Sequence, residues 1–226
     1  MVQLVLFDID GTLIRTGGAG VKAFERTFAE VFDLPEATRT LQFSGRTDTS
    51  LVRECFRLHG VEAKEDHFGR FFEAYPRFLA ELLTQTPGAV LPGVHDFLEQ
   101  LFALENRPTL GLLTGNIRRG AELKLRRFNL WERFETGAFA DDGEDRNCIA
   151  AEAKKRGEKL LGRELRGGEV VVIGDTPHDI SCAKSIGAKC LAVATGIHTR
   201  AQLAESEPRW AVNHLGELTV PEVLGL

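Results

Sequence analysis

Hydrophobic positions along this 226-residue chain follow two regimes. From Val2 to Phe7 every residue but Gln3 is apolar on both alternating faces, which suits a strand covered on both sides in a parallel sheet. Thr109–Leu113 and Val170–Gly174 repeat the pattern, Lys189–Val193 extends it, and Trp210–Val212 reads as an edge strand. A short strand is expected near Phe139. Between these runs the period becomes helical: Val94 to Glu105, a segment through Leu123 and Leu130, Ile149 to Leu161, and Ile180 to Ile186 with Gly187 as its stop. Such alternation predicts an α/β fold, a doubly wound parallel sheet with helices on both faces.

Residues 16–87 break the alternation. Val21, Phe24, Phe28 and Val31 recur at helical spacing, Ser50 to His59 forms a second helix stopped by Gly60, and Phe68, Phe71, Phe72 and Tyr75 mark a third, which Pro76 is expected to kink or split. Nine of the fifteen Phe residues lie in this stretch. A small helical unit needs large aromatics to bury enough surface, so they read as core and not as a ligand cage. The chain thus divides into a core of residues 1–15 and 88–226 and an inserted helical domain of residues 16–87. Both tethers of the insert lie beside the end of the first strand, and Gly17, Gly18 and Gly20 offer a hinge. Gly18-Ala19-Gly20 weakly mimics a dinucleotide fingerprint, but no strand leads into it.

Chemistry concentrates where three strands end. Asp8 and Asp10 follow the first, Thr114-Gly115-Asn116 the second, and Asp175-Thr176-Pro177-His178-Asp179 the third. In a parallel sheet these tips share the carboxyl edge, where such sheets bind ligands. Crowded carboxylates repel unless a cation neutralises them. The donors are hard oxygens with no Cys or His pattern at metal spacing, which favours magnesium. A Thr114 hydroxyl with the N–H groups of Gly115 and Asn116 at a helix start makes an anion site. A net charge of −5 offers no broad basic field, which argues against nucleic acid or an anionic membrane as partner. The four cysteines lack CxxC spacing, so free thiols in a reducing cytoplasm are expected. No run approaches the ~20 apolar residues of a membrane span.

FDIDGTL, LLTGN and VVIGDTPHD, in that order, resemble motifs I, II and IV of the haloacid dehalogenase-like (HAD) hydrolase superfamily, most closely its phosphoglycolate-phosphatase-like members. The similarity spans nearly the whole chain. It implies a Rossmann-like core, a type 1 helical cap between motifs I and II, and magnesium-dependent hydrolysis of a small phosphorylated metabolite. By this match Asp8 is the nucleophile that forms an aspartyl-phosphate and Asp10 the acid/base. Thr114, Gly115 and Asn116 bind phosphate. Asp175 holds the metal with Asp8 and the Asp10 main-chain carbonyl, and Asp179 is an outer ligand or only a helix cap.

Motif III departs from the family pattern, because no Lys-Pro follows the third strand. Arg146 stands at the matching place, and Lys124 is a second candidate. Each has an ordinary alternative: pairing with acidic neighbours for Arg146, a solvated helix face for Lys124. Ser44-Gly45-Arg46-Thr47-Asp48 resembles the substrate-specificity loop of type 1 caps, with Arg46 meeting a polar group of the leaving alcohol; alternatively Gly45 makes a turn and Thr47 or Asp48 caps the next helix. A phosphomutase with the same core residues is the alternative activity. The enzyme is expected as monomer or homodimer, with its substrate left open.

Overall fold

The computed structural model describes all 226 residues. Six strands form one parallel sheet: β1 (Leu4–Phe7), β4 (Thr109–Leu113), β5 (Thr136–Ala138), β6 (Val170–Gly174), β7 (Lys189–Val193) and β8 (Trp210–Val212), in the order β5-β4-β1-β6-β7-β8. The chain winds outward from β1 through β4 and β5, then returns to β6 and winds the other way. Strand order therefore reverses beside β1, the position where open α/β sheets bind ligands. Phe7 is in register with both Leu112 and Ile173, so the residues after the three central strands emerge together.

Alternate side chains of β1 serve opposite faces, as the two-sided apolar pattern requires. Val5 and Phe7 pack with α4 (Val94–Phe102), α5 (Arg118–Arg126) and α9 (Val220–Leu224). Leu4 and Leu6 pack with α6 (Arg146–Leu161) and α7 (Pro177–Ser185) on the other face. A short helix, α8 (Arg200–Ala204), precedes β8. Boundaries differ slightly from the sequence reading. Phe139 lies just past β5, and α5 ends at Arg126 because Asn129 adopts a left-handed conformation (φ 56°) before Leu130.

The inserted helices α1 (Ala19–Phe32), α2 (Asp48–Leu58) and α3 (Glu65–Gln85) bury a separate aromatic cluster around Phe24, Phe28, Phe56, Phe71 and Tyr75. The insert is joined to the core by a two-residue antiparallel ribbon of β2 (Ile14–Arg15) and β3 (Ala89–Val90). Pro76 does not split α3, which runs unbroken through it. Proline lacks the N–H that would bond the Phe72 carbonyl. Phe71, Tyr75, Phe78 and Leu79 on either side of Pro76 are buried in the aromatic cluster, and that burial outweighs the loss.

Candidate active site

Asp8 is the first residue beyond β1, fixed to the sheet by its N–H to the Ile173 carbonyl at 2.9 Å. The chain then turns tightly: the N–H groups of Thr12, Leu13 and Ile14 all point to the Ile9 carbonyl. Gly11 sits at φ 84°, and a Cβ there would overlap the Asp175 carboxylate. Glycine is thus required both for backbone conformation and for close approach. The Thr12 hydroxyl donates to Asp175 at 3.3 Å.

Asp8, Asp175 and Asp179 bring carboxylate oxygens within 4.8 Å of one another, and all three are buried. Burial, then Asp179, pushes the Asp8 carboxyl up to about 7. Burial, with Asp8 and Asp179, pushes Asp175 up to about 9. Such a cluster of hard oxygen donors, costly as bare anions, fits a divalent cation such as magnesium. Asp179 has less freedom than the other two. One of its oxygens accepts from the Thr176 N–H and hydroxyl (3.0 and 2.7 Å) at the start of α7, and the other pairs with Arg146. Its capping oxygen and its place in the acid cluster belong to one side chain.

The Asp10 carboxylate does not join that cluster. It turns to the other side of the cleft, 2.6 Å from the Lys124 ammonium and 2.9 Å from the Asn116 amide nitrogen. Asn116 also accepts from Lys124 (2.6 Å) and donates to the Thr114 hydroxyl (2.8 Å). One hydrogen-bonded network therefore links the second acid to the phosphate-site candidates Thr114 and Asn116, with Gly115 between them.

Both motif III candidates reach the site, on opposite sides. Arg146, first residue of α6, pairs with Asp179 and stands 3.5 Å from Asp8. Burial works against its charge, but Asp179 and Asp8 together hold its pKa above the usual arginine value. Lys124, on α5, is buried against Asp10 and is no solvated helix face.

Arg46 is brought to the cleft but its guanidinium turns away, 2.6 Å from Glu54 within α2. Its backbone instead lies on motif II, so close that a Cβ at Gly115 would overlap the Arg46 carbonyl. Thr47 caps α2 by accepting from the Ser50 N–H at 3.2 Å. Asp48 does something local sequence could not show. Its N–H donates to the Gly115 carbonyl (2.7 Å) and its carboxylate accepts from the Ile117 N–H (2.8 Å), so it caps the core helix α5 from the insert. Burial first, opposed by Lys124, pushes its carboxyl up to about 7. Tyr75, read from sequence as core, also lines the cleft; only the packing of α3 over α5 reveals this. His178 stays exposed beside Gly45.

Asp8, Asp10, Asp48, Tyr75, Lys124 and Arg146 are among the residues lining a cavity of about 180 Å³ between sheet edge and insert. The chain is similar to several known proteins. The probable phosphatase IndB of Dickeya dadantii is 29% identical over 224 residues, covering 96% of this chain and 92% of its own. The pyrophosphatase PpaX of Anoxybacillus flavithermus is 27% identical, with 96% and 95% covered. Among solved structures, CbbY of Rhodobacter sphaeroides in complex with phosphate superposes over the full length of both chains with a TM-score of 0.77 at 20% identity, a likeness of fold. The family model for haloacid dehalogenase-like hydrolases matches residues 5–193, and the chain belongs to that family.

Proposed function

We propose that the protein is a magnesium-dependent phosphomonoester hydrolase working through an aspartyl-phosphate on Asp8. The observation that carries this reading is the buried acid cluster Asp8, Asp175 and Asp179 at the point where strand order reverses, with Asp10 and motif II on the opposite wall. Asp8 and Asp175, whose oxygens are not committed to a helix cap, would hold the metal with the Asp10 main-chain carbonyl, and Asp179 would stand behind them as an outer ligand. Magnesium bound there would neutralise charge on Asp8 and on the phosphoryl oxygens.

Thr114, Gly115 and Asn116 orient the phosphoryl group through a hydroxyl and helix N-terminal N–H groups. Asp8 attacks phosphorus in line as the bond to the leaving oxygen breaks. Asp10 gives its proton to that oxygen and then takes one from the water that hydrolyses the aspartyl-phosphate. Arg146 holds Asp8 in line, while Lys124 and Asn116 hold Asp10. Residues 16–87 act as the cap that shields both steps, with Asp48 tying it to motif II. On this reading the enzyme acts in the cytoplasm on a small phosphorylated metabolite, as monomer or homodimer.

Phosphate release from a panel of small phosphomonoesters tests the reading. Release that needs magnesium and stops with EDTA is expected. An isomerised sugar phosphate in place of free phosphate would instead make the enzyme a phosphomutase.

A further inference from the structure

Motifs I, II and IV can read only the phosphoryl group, so the alcohol must be read by the insert. Tyr75 is placed for that. Its residue is only 1% exposed, and its ring is held against Phe24 and Phe71 with centroids 4.7 and 5.8 Å apart. The hydroxyl end borders the cavity. A Cβ built on Gly20 would stand 3.9 Å from that hydroxyl and 3.4 Å from the Lys124 ammonium, so both groups face one gap at the start of α1. The hydrogen bonds of this wall join Lys124, Asn116, Asp10 and Thr114, and none reaches the Tyr75 hydroxyl. The ring is buried but the hydroxyl oxygen itself opens on the cavity without a protein partner. A ligand atom beside Asp10, where the leaving oxygen must lie to receive its proton, can take that place.

The charges of the same wall describe the ligand. Arg46 is tied to Glu54, Lys124 to Asp10, and Arg146 to Asp8 and Asp179, so every cation that lines the cleft is already paired. Asp48 adds a carboxylate to that wall, whereas the first turn of α1 adds only about half a positive charge. A second anionic group on the substrate would meet repulsion without a counter-ion. Phe24, Phe43 and Leu51 cover carbon, and a cavity of about 180 Å³ is below the ~300–1,000 Å³ usual for larger ligands.

We propose that Tyr75 selects the leaving group by donating its hydroxyl to an oxygen of a small neutral polyol phosphate, in preference to a phosphorylated carboxylic acid. This inference rests on the phosphatase reading above. The test compares kcat/KM for glycerol 3-phosphate, propyl phosphate and 2-phosphoglycolate in the wild type, Tyr75→Phe and Gly20→Ala. Propyl phosphate has the same carbon count without hydroxyls, so its turnover tests the phosphatase reading without calling on Tyr75.

The wild type should prefer the glycerol ester to the propyl ester by about tenfold or more, with 2-phosphoglycolate below both. Tyr75→Phe keeps the ring contacts and should bring the glycerol-to-propyl ratio to within about twofold of unity. Gly20→Ala, whose methyl would sit in the gap against the Lys124 ammonium and the Tyr75 hydroxyl, should lower the same ratio. A ratio unchanged in both variants, or 2-phosphoglycolate as the best wild-type substrate, overturns the inference while leaving a phosphatase. Failure of the wild type to hydrolyse any of the three while it releases phosphate from another ester of the panel overturns the inference and leaves a phosphatase; failure across the whole panel overturns both.

Discussion

On the proposed reading, Lys124 and Arg146 share the work that a single motif III lysine would do, one beside each acid of motif I. Arg146 spans two carboxylates, 3.5 Å from Asp8 and paired with Asp179, and all three side chains are nearly closed to solvent. Removing its charge in Arg146→Met leaves two buried anions uncompensated and should cost about 3–5 kcal/mol of stability, measured by urea denaturation. Arg146→Lys keeps the charge but loses the fork and should still lower kcat about tenfold or more. Lys124→Met releases Asp10, whose side chain is 42% exposed to the cleft, and should lower kcat about 10²-fold with little loss of stability. Equal kcat in Lys124→Met and wild type would refute that role. Arg146 was legible because it stands where the third strand gives way to a helix. Lys124 was harder to see: between Leu123 and Leu125 it reads as a helix face in solvent, and only the packing of α5 against the cleft buries it.

At the scale of elements, the strands were legible because each apolar run ends in chemistry. The trans contacts were not, because they depend on docking. Asp48 is the plainest case. It follows the cap residue of its own helix, yet its carboxylate serves the Ile117 N–H of α5 and its N–H serves Gly115. Asp48→Ala should remove a helix cap worth about 1 kcal/mol and loosen the hold of the insert on motif II, raising KM more than it lowers kcat. Asp48→Asn retains an acceptor oxygen and should recover most of that loss. Failure of asparagine to do better than alanine would mean that the charge, and not the cap, matters. Pro76 teaches the converse: its local signal was clear, but the aromatic burial on both sides of it carries α3 through.

For the whole molecule, the buried acids of the cleft burden the fold. Asp8 and Asp48 release their protons near 7 and Asp175 near 9, each raised first by burial, whereas an unfolded aspartate does so near 3.8. Between those values the folded chain holds more protons than the unfolded one, so stability falls as pH rises through the folded values. Metal-free protein in EDTA should therefore melt lower at pH 8.5 than at pH 5, and magnesium should raise the melting temperature at pH 8.5 far more than at pH 5. A melting temperature independent of both would mean that the cluster neither titrates nor binds metal as described. The fold and the acids were readable together because a parallel sheet carries its strand ends to one edge; the closure of the insert over them was not, since it is written in contacts between distant segments. If the phosphoryl group passes through Asp8, rapid acid quench with a ³²P-labelled substrate traps it there. The label should appear on the N-terminal peptide at Asp8, be released by hydroxylamine as an acyl phosphate is, and be absent from Asp8→Asn. Steady phosphate release with no label on Asp8, or undiminished release by Asp8→Asn, would contradict that route.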